Sequence, residues 1–388
     1  MASAILSLAV GLRQSLGLFF VPISVDLGVT GTTLGLAIAL QNLMWGATQP
    51  FAGMLADRFG TGRVLAGGAF FYAIGLFYLS RANDAAELYF ASGVLIPLGL
   101  SGAGLTVVLG AVARIAPPNQ RSMAAGIASA GGSFGQFILA PLGQKWIAQF
   151  GWSNALLVFA GLAALMAPLS WVLRGRSDHA AMEGAASIGA AFQQAFNDPS
   201  FWLLNAGFFV CGFHIAFVST YLPGMATLCL LPPAVGAEAL ALIGLFNMLG
   251  SFLAGYLGGF LRMKYLLSSI YFLRALGISI FLAAPKTRLT FLIFASFLGI
   301  TWLGTVPLTS GLVGLRYGTR YLASLFGVVF FSHQIGAFSG AWSGGRFYDL
   351  TGKYDAGWQI AMSLALAAGF IHLPIRDCLI APQTADAM

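Results

Sequence analysis

The sequence predicts an all-α, polytopic membrane protein whose twelve transmembrane helices form two pseudo-symmetric bundles of six. Three observations carry that reading. Only 8% of the 388 residues are charged against 58% hydrophobic, with a mean hydropathy of +0.85. The charged and turn-forming residues cut the chain into twelve apolar stretches. One long polar interval, 174–199, sets six stretches apart from the other six. A soluble domain carries roughly 25% charged residues, and so few here could not cover a water-facing surface. A soluble enzyme or binding module is therefore excluded, and 33 Phe, 8 Trp and 11 Tyr exclude a disordered chain.

A helix crosses the hydrocarbon with about 20 mostly apolar residues. The first stretch, 3–27, has no basic start and carries Arg13 and Gln14 inside its apolar run, unlike a cleaved signal peptide. The second, 31–56, runs into the polar turn Asp57-Arg58-Phe59-Gly60. The stretches 62–80, 87–113, 121–148 and 152–173 are each bounded by arginine, asparagine or glycine, and complete an N-terminal bundle over 1–173. The interval 174–199 reads as a cytoplasmic linker, partly helical along the membrane surface. The C-terminal bundle, 200–388, holds 200–228, 237–260, 264–284, 288–315, 322–350 and 355–378. These runs lack the period-two alternation of barrel strands.

Loop charges set the expected orientation. With a cytoplasmic N-terminus, eleven of the 19 Lys+Arg fall on the inner side and six on the outer, leaving Arg13 and Arg274 mid-span. Both termini are then cytoplasmic, and a bacterial inner membrane is the expected location. The net charge of +7 is scattered over short loops with no basic stripe, so nucleic acid is not an expected partner. Cys211, Cys229 and Cys378 lie far apart in apolar surroundings, without disulfide or metal spacing. No cofactor or metal is expected, and a monomer is.

The halves repeat weakly. An offset of 202 pairs Gly53 with Gly255 and Leu55 with Leu257, and an offset of 201 pairs Gly126 with Gly327 and Gly135 with Gly336. Two six-helix halves in parallel repeat are a transporter plan, with substrate held near the midplane. At the end of the second stretch, Gly53-Met-Leu-Ala-Asp57-Arg58-Phe-Gly60-Thr-Gly-Arg63 resembles the loop signature of the major facilitator superfamily. Gly62 stands at a usually basic position, and the copy after the eighth stretch has Gly259 in place of the acid. The segments GLRQSLGLFFVPISVDLG, IYFLRALG and FFSHQIGAFSGAW resemble its bacterial monocarboxylate-transporter-like branch, near oxalate/formate antiporters. The resemblance implies the major facilitator fold, with a cavity lined by helices 1, 4, 7 and 10. Charges at the membrane edge rearrange cheaply, so Gly53, Asp57, Arg58, Gly60 and Arg63 are expected to gate the cytoplasmic side. Gly53 would permit close helix approach and Gly60 a tight turn.

The ionic inventory is asymmetric: all 12 acids fall outside the helix centres, while Arg13 and Arg274 lie within. A charge at the bilayer centre costs about 2.5–3.5 kcal/mol on insertion scales, so it faces a cavity or a partner. A guanidinium binds a carboxylate with two parallel hydrogen bonds, which makes a small organic anion the expected substrate. Arg13, on a helix that the resemblance places at the cavity, is the expected clamp, with a bond to backbone carbonyls as the competing reading. Arg274 is either structural, bracing helix 9 against helix 8 near Asn247, or part of the site. His214 and His333 are the candidate proton carriers at depth, protons being a possible second cargo. Polar stripes add Asn42, Gln136, Tyr221, Asn247, Trp302 and Gln334 as candidate substrate contacts, and the same stripes also suit helix packing. The expected function is secondary transport of monocarboxylate-like anions by alternating access; the alternative is export of amphipathic compounds or drugs. No HExxH or phosphate-binding loop occurs, so no enzyme is expected.

Overall fold

The computed structural model describes residues 1–115, 121–173, 188–318 and 322–378. Every element within them is helical. The spans are α1 Ala2–Leu27, α2 Gly31–Phe59, α3 Thr61–Leu79, α4 85–115, α5 121–150 and α6 152–173. They continue as α7 Pro199–Leu228, α8 Pro233–Gly258, α9 Met263–Ala283, α10 Arg288–Tyr317, α11 Leu322–Thr351 and α12 Asp355–His372. A short helix, Ile188–Phe196, occupies part of the linker interval; 174–187 lies outside the described residues.

Local chemistry sets the ends. Thr30 caps α2 by accepting from the Thr33 N–H at 3.1 Å, and Asp84 caps α4 by accepting from the Glu87 N–H at 2.8 Å. Gly60 turns the chain from α2 to α3 at φ +93°, and Gly151 separates α5 from α6 at φ +79°; both angles favour glycine. The last span stops at His372 rather than reaching 378; two residues on, Pro374 has no N–H with which to continue the helical ladder.

Among the described residues eight stretches are both long and apolar enough to cross a membrane, one of them, Ile127–Leu173, comprising most of α5 and all of α6. The helices α2, α11 and α12 are long enough but more polar, and α2 and α11 pack on each other. Gln41, Asn42 and Gln49 of α2 and His333 and Gln334 of α11 are buried in the interior.

The sequence repeat is a repeat of contacts. The glycines Gly135 on α5 and Gly336 on α11 let those helices approach so closely that a Cβ would collide with the Ser7 carbonyl on α1 and the Phe209 carbonyl on α7. Tyr72 on α3 donates to the Ala9 carbonyl at 3.4 Å, and Tyr271 on α9 to the Gly207 carbonyl at 2.6 Å. Two spans are interrupted at matching places: α4 at Gly104, where ψ is −178°, and α10 between Ile300 and Thr305.

The halves touch mainly along two seams, α2 with α11 and α5 with α8, and also where α1 meets α7. Toward the end that bears Gly31 and Asp349, α2 and α11 are in backbone contact. A Cβ on Gly345 would strike the Gly31 carbonyl, and one on Gly35 would lie 2.7 Å from the Ala341 oxygen. One on Gly46 would lie 2.7 Å from Gln334 Cβ. Two turns further along the same faces, Gly53 and Gly327 have open space around them. The molecule is closed at the Asp349 end and splayed at the Gly60 end.

Candidate substrate site between the halves

Arg13 stands about ten residues into α1, just before the helix tightens into a 3₁₀ turn at Leu16–Phe19. Its guanidinium lies 4.7 Å over the Trp45 ring. One terminal nitrogen donates to Asn42 Oδ1, and Asn42 is itself anchored by donating to the Ile38 carbonyl at 2.8 Å. Arg13 Nε is buried with no partner. Among the described residues no carboxylate pairs with it. A small cavity opens here, lined from α1 by Arg13, Leu16 and Gly17, from α2 by Ile38, Gln41 and Asn42, and from α7 by Ala216, Ser219 and Thr220. Of the helices that the resemblance places at the cavity, α1 and α7 line this pocket, and α2 joins them. Gly17 closes its far side, because the α1 backbone there presses on the Ser219 carbonyl.

Two buried polar atoms without a partner, Arg13 Nε and Gln41 Nε2, belong to residues of the cavity wall. Gln14 Oε1, Trp45 Nε1, Gln49 Nε2, His333 Nδ1 and both polar atoms of the Gln334 amide are also unpartnered, as are His214 Nδ1, Arg274 Nη1, Trp302 Nε1, Ser343 Oγ and Trp358 Nε1 elsewhere. An unpaired buried polar group costs about 1–3 kcal/mol, so such atoms at a cavity wall mark a place where a ligand or water completes the bonding. At the cavity wall the two unpartnered atoms, Arg13 Nε and Gln41 Nε2, are donors, which suits an oxygen-rich anion.

Aromatic contacts carry the site across the seam. Trp45 meets Phe330 edge-on at 5.7 Å, Phe330 stacks on His333 at 5.6 Å and 6°, and Phe208 lies 4.9 Å from His333. Arg13, Asn42, His333 and Gln334 therefore gather at the centre.

The other candidates are placed elsewhere. His214 Nε2 bonds the Ala361 carbonyl on α12 at 2.7 Å, away from the cavity. Tyr221 donates to the Ala341 carbonyl and packs on Phe20 at 5.1 Å in the closed seam. Gln136 donates to the Leu240 carbonyl at 2.9 Å, and Asn247 to Ser133 Oγ at 2.8 Å, both across the α5–α8 seam. Arg274 is wholly buried. It donates to the Thr301 carbonyl through Nε at 3.1 Å, and to the Thr301 and Trp302 carbonyls through a terminal nitrogen. Those carbonyls are exactly the ones freed by the break in α10, so Arg274 braces α9 against α10 rather than against α8. Asn247 holds the same break by accepting from the Leu303 N–H at 2.9 Å.

A family model described as Major Facilitator Superfamily matches residues 2–372. The chain belongs to this superfamily. It is 24% identical over 360 residues to the uncharacterized MFS-type transporter YcxA of Bacillus subtilis (strain 168), covering 88% of this chain and 85% of that protein. It is 24% identical over 379 residues to monocarboxylate transporter 4 of Rattus norvegicus, covering 93% and 78%. Among solved structures, a bacterial homologue of the human lysosomal transporter Spinster, inward-facing and unoccupied, superposes with a TM-score of 0.73 at 16% identity, covering 98% of this chain and 97% of that one. As a member of the Major Facilitator Superfamily the chain is a membrane transporter, not an enzyme.

In this superfamily member the α2–α3 turn is simple. Arg58 lies 5.3 Å over the Phe59 ring, Arg63 reaches the Phe59 carbonyl at 3.5 Å, and Gly60 makes the turn. The Asp57 side chain lies outside the described part. Open space around Gly53 means the close helix approach expected there is not made in this conformation. Sequence reading missed Gln41, Trp45, Ser219 and Thr220. Gln41 adjoins Asn42, and Trp45 lies one turn on, so the α2 stripe carried that signal; nothing in the sequence marked Ser219 or Thr220. It also placed Asp198 and Arg316 in loops, where the structure buries them as an ion pair completed by Tyr317.

Proposed function

We propose that the protein is a secondary transporter of small, monocarboxylate-like organic anions, working by alternating access between bundles 1–173 and 200–388. One observation carries this reading: Arg13, deep in the span, has a buried nitrogen without a partner, faces a donor-rich cavity between the halves and has no acid beside it. A carboxylate there would take the free Nε and the Gln41 amide. Similarity to monocarboxylate transporter 4 of Rattus norvegicus supports the substrate class. With both termini cytoplasmic in a bacterial inner membrane, the splayed Gly60 end opens inward. His333 is the proposed proton site: Nδ1 is unpartnered in both histidines, but His333 lies between Phe208 and Phe330 near Trp45, whereas His214 Nε2 is engaged with α12.

The test is uptake of labelled monocarboxylates into proteoliposomes, paired with thermal-shift binding of the same acids. Loss of a charge-assisted hydrogen bond worth about 1.5–3 kcal/mol should cut affinity roughly 10- to 100-fold in Arg13→Ala. Undiminished uptake and binding in a folded Arg13→Ala variant would remove the anion assignment and leave a carrier of other substrates.

A further inference from the structure

The closed end is held by contacts of two kinds. Most are neutral backbone approaches at glycine, such as Gly345 on Gly31 and Gly17 on Ser219. Asp349, on the last turn of α11, is different. Its Oδ1 accepts from the Gly31 N–H at 2.8 Å and its Oδ2 from the Thr32 N–H at 2.7 Å. The Thr32 hydroxyl also donates to Oδ2. Gly31 and Thr32 are the first two residues of α2. A helix start presents unpaired N–H groups and a partial positive charge, and a carboxylate satisfies both. Here the cap comes from the opposite half. Among the described residues Asp349 is the one ionised side chain that hydrogen-bonds across the halves.

The second seam has no counterpart. At the repeat offset of 201, Ala148 stands where Asp349 stands. The partner helix there, α8, begins at Pro233, behind Pro232, with no side-chain cap. Proline has no N–H to offer. Among the described residues the side-chain hydrogen bonds of the α5–α8 seam are neutral, Gln136 to Leu240 and Asn247 to Ser133. We propose that Asp349 is a one-sided latch: its capping of α2 across the halves sets how readily the closed end opens, and the α2–α11 seam must release before that end can admit or discharge substrate. This depends on alternating access and not on the identity of the substrate.

The experiment uses the full chain in liposomes with Cys211, Cys229 and Cys378 replaced. Two single-cysteine reporters are made. Ala39→Cys sits in the seal with Ala216, Ala337 and Ala341, all at most 1% exposed. Gly327→Cys sits in the open space at the other end. Maleimide labelling is compared with Asp349 intact and as Asp349→Asn. Asparagine keeps the shape but turns one acceptor toward an N–H as a donor. Labelling at Ala39→Cys should rise about tenfold, as expected for loss of a well-placed charged cap, and labelling at Gly327→Cys should fall. Unchanged labelling at both positions overturns the latch. Should Asp349→Asn not fold, Thr32→Val removes one hydroxyl bond and should move both reporters the same way by a smaller factor; no movement there overturns it equally. No substrate is needed, so the outcome is separate from the Arg13 experiment.

Discussion

Arg13 and Arg274 are the same residue type at similar depth, yet their surroundings assign them different work. Arg274 spends two nitrogens on the Thr301 and Trp302 carbonyls and lies 5.2 Å over Tyr271. Arg13 spends one on Asn42 and lines the cavity; each arginine keeps one buried nitrogen without a partner, Nε in Arg13 and Nη1 in Arg274. The two variants should therefore separate in a melting assay. Arg274→Ala strips partners from two buried carbonyls, at about 1–3 kcal/mol each, and should lower the melting temperature of the empty protein. Arg13→Ala should melt like the parent but lose the stabilisation conferred by added acid. The histidines divide similarly. If His333 carries the proton, His333→Gln should flatten the pH dependence of uptake while His214→Gln, which removes only a packing bond to α12, should leave the profile and lower stability. Retained pH dependence in both variants would place the proton on the substrate. Little of this division was legible beforehand. Depth and charge made both arginines stand out, but a backbone carbonyl freed by a helix break has no side-chain signature, so the partner of Arg274 could not be read. His214 and His333 are both mid-helix histidines, and only the direction each faces distinguishes them.

At the scale of elements, hydropathy and turn residues located eleven spans within a few residues and overran the end of the twelfth by six, because membrane crossing imposes a length and a polarity that sequence expresses directly. Interruptions were less visible. Pro307 would favour a bend in α10 at its own position, but the break falls at Thr301–Gly304, before it, where Arg274 and Asn247 can hold it. The Asp198 cluster was hidden for a related reason: its members are distant in sequence, and loop charges are ordinarily solvated. Asp198 caps α7 through the Ser200 N–H at 3.0 Å, pairs with Arg316 and accepts from Tyr317 at 2.6 Å. Arg316 also donates to the Arg376 carbonyl at 3.1 Å, tying α10 to the chain beyond α12. Burial alone would raise the Asp198 carboxyl, but the bonds from Arg316, Tyr317 and Ser200 outweigh it and hold the carboxyl below its ordinary range. A depressed carboxylate stabilises the fold above its unfolded value and ceases to do so as pH falls through the folded one. The cluster is therefore at full strength at neutral pH, and melting temperature should fall on acidification below about 4 by more in the parent than in Asp198→Asn. At neutral pH Asp198→Ala should cost about 3 kcal/mol, since Arg316 would be left buried without a counter-charge.

For the whole molecule, the decisive feature is that α2 and α11 meet at glycines over one half of their length and diverge over the other. Alternating access requires the divergent half to close as the other opens, so glycine is needed at both ends but at different times. This yields a paired test. Gly345→Val puts methyl groups into the Gly31 carbonyl of the closed end; the seam must part, and the protein should be biased toward the opposite state. Gly53→Val and Gly327→Val meet nothing in the present conformation; they should fold normally and retain binding from the splayed side, but resist its closure. All three should transport poorly, yet spin-label distances across the two ends should shift in opposite directions. An overpacking strain of about 1–3 kcal/mol is enough to move a two-state equilibrium roughly 5- to 150-fold, well within the range such distances resolve. If Gly345→Val and Gly53→Val trapped the same state, the α2–α11 seam would be a fixed hinge rather than a surface that opens at either end, and the rocking would have to be carried by α5 and α8 alone.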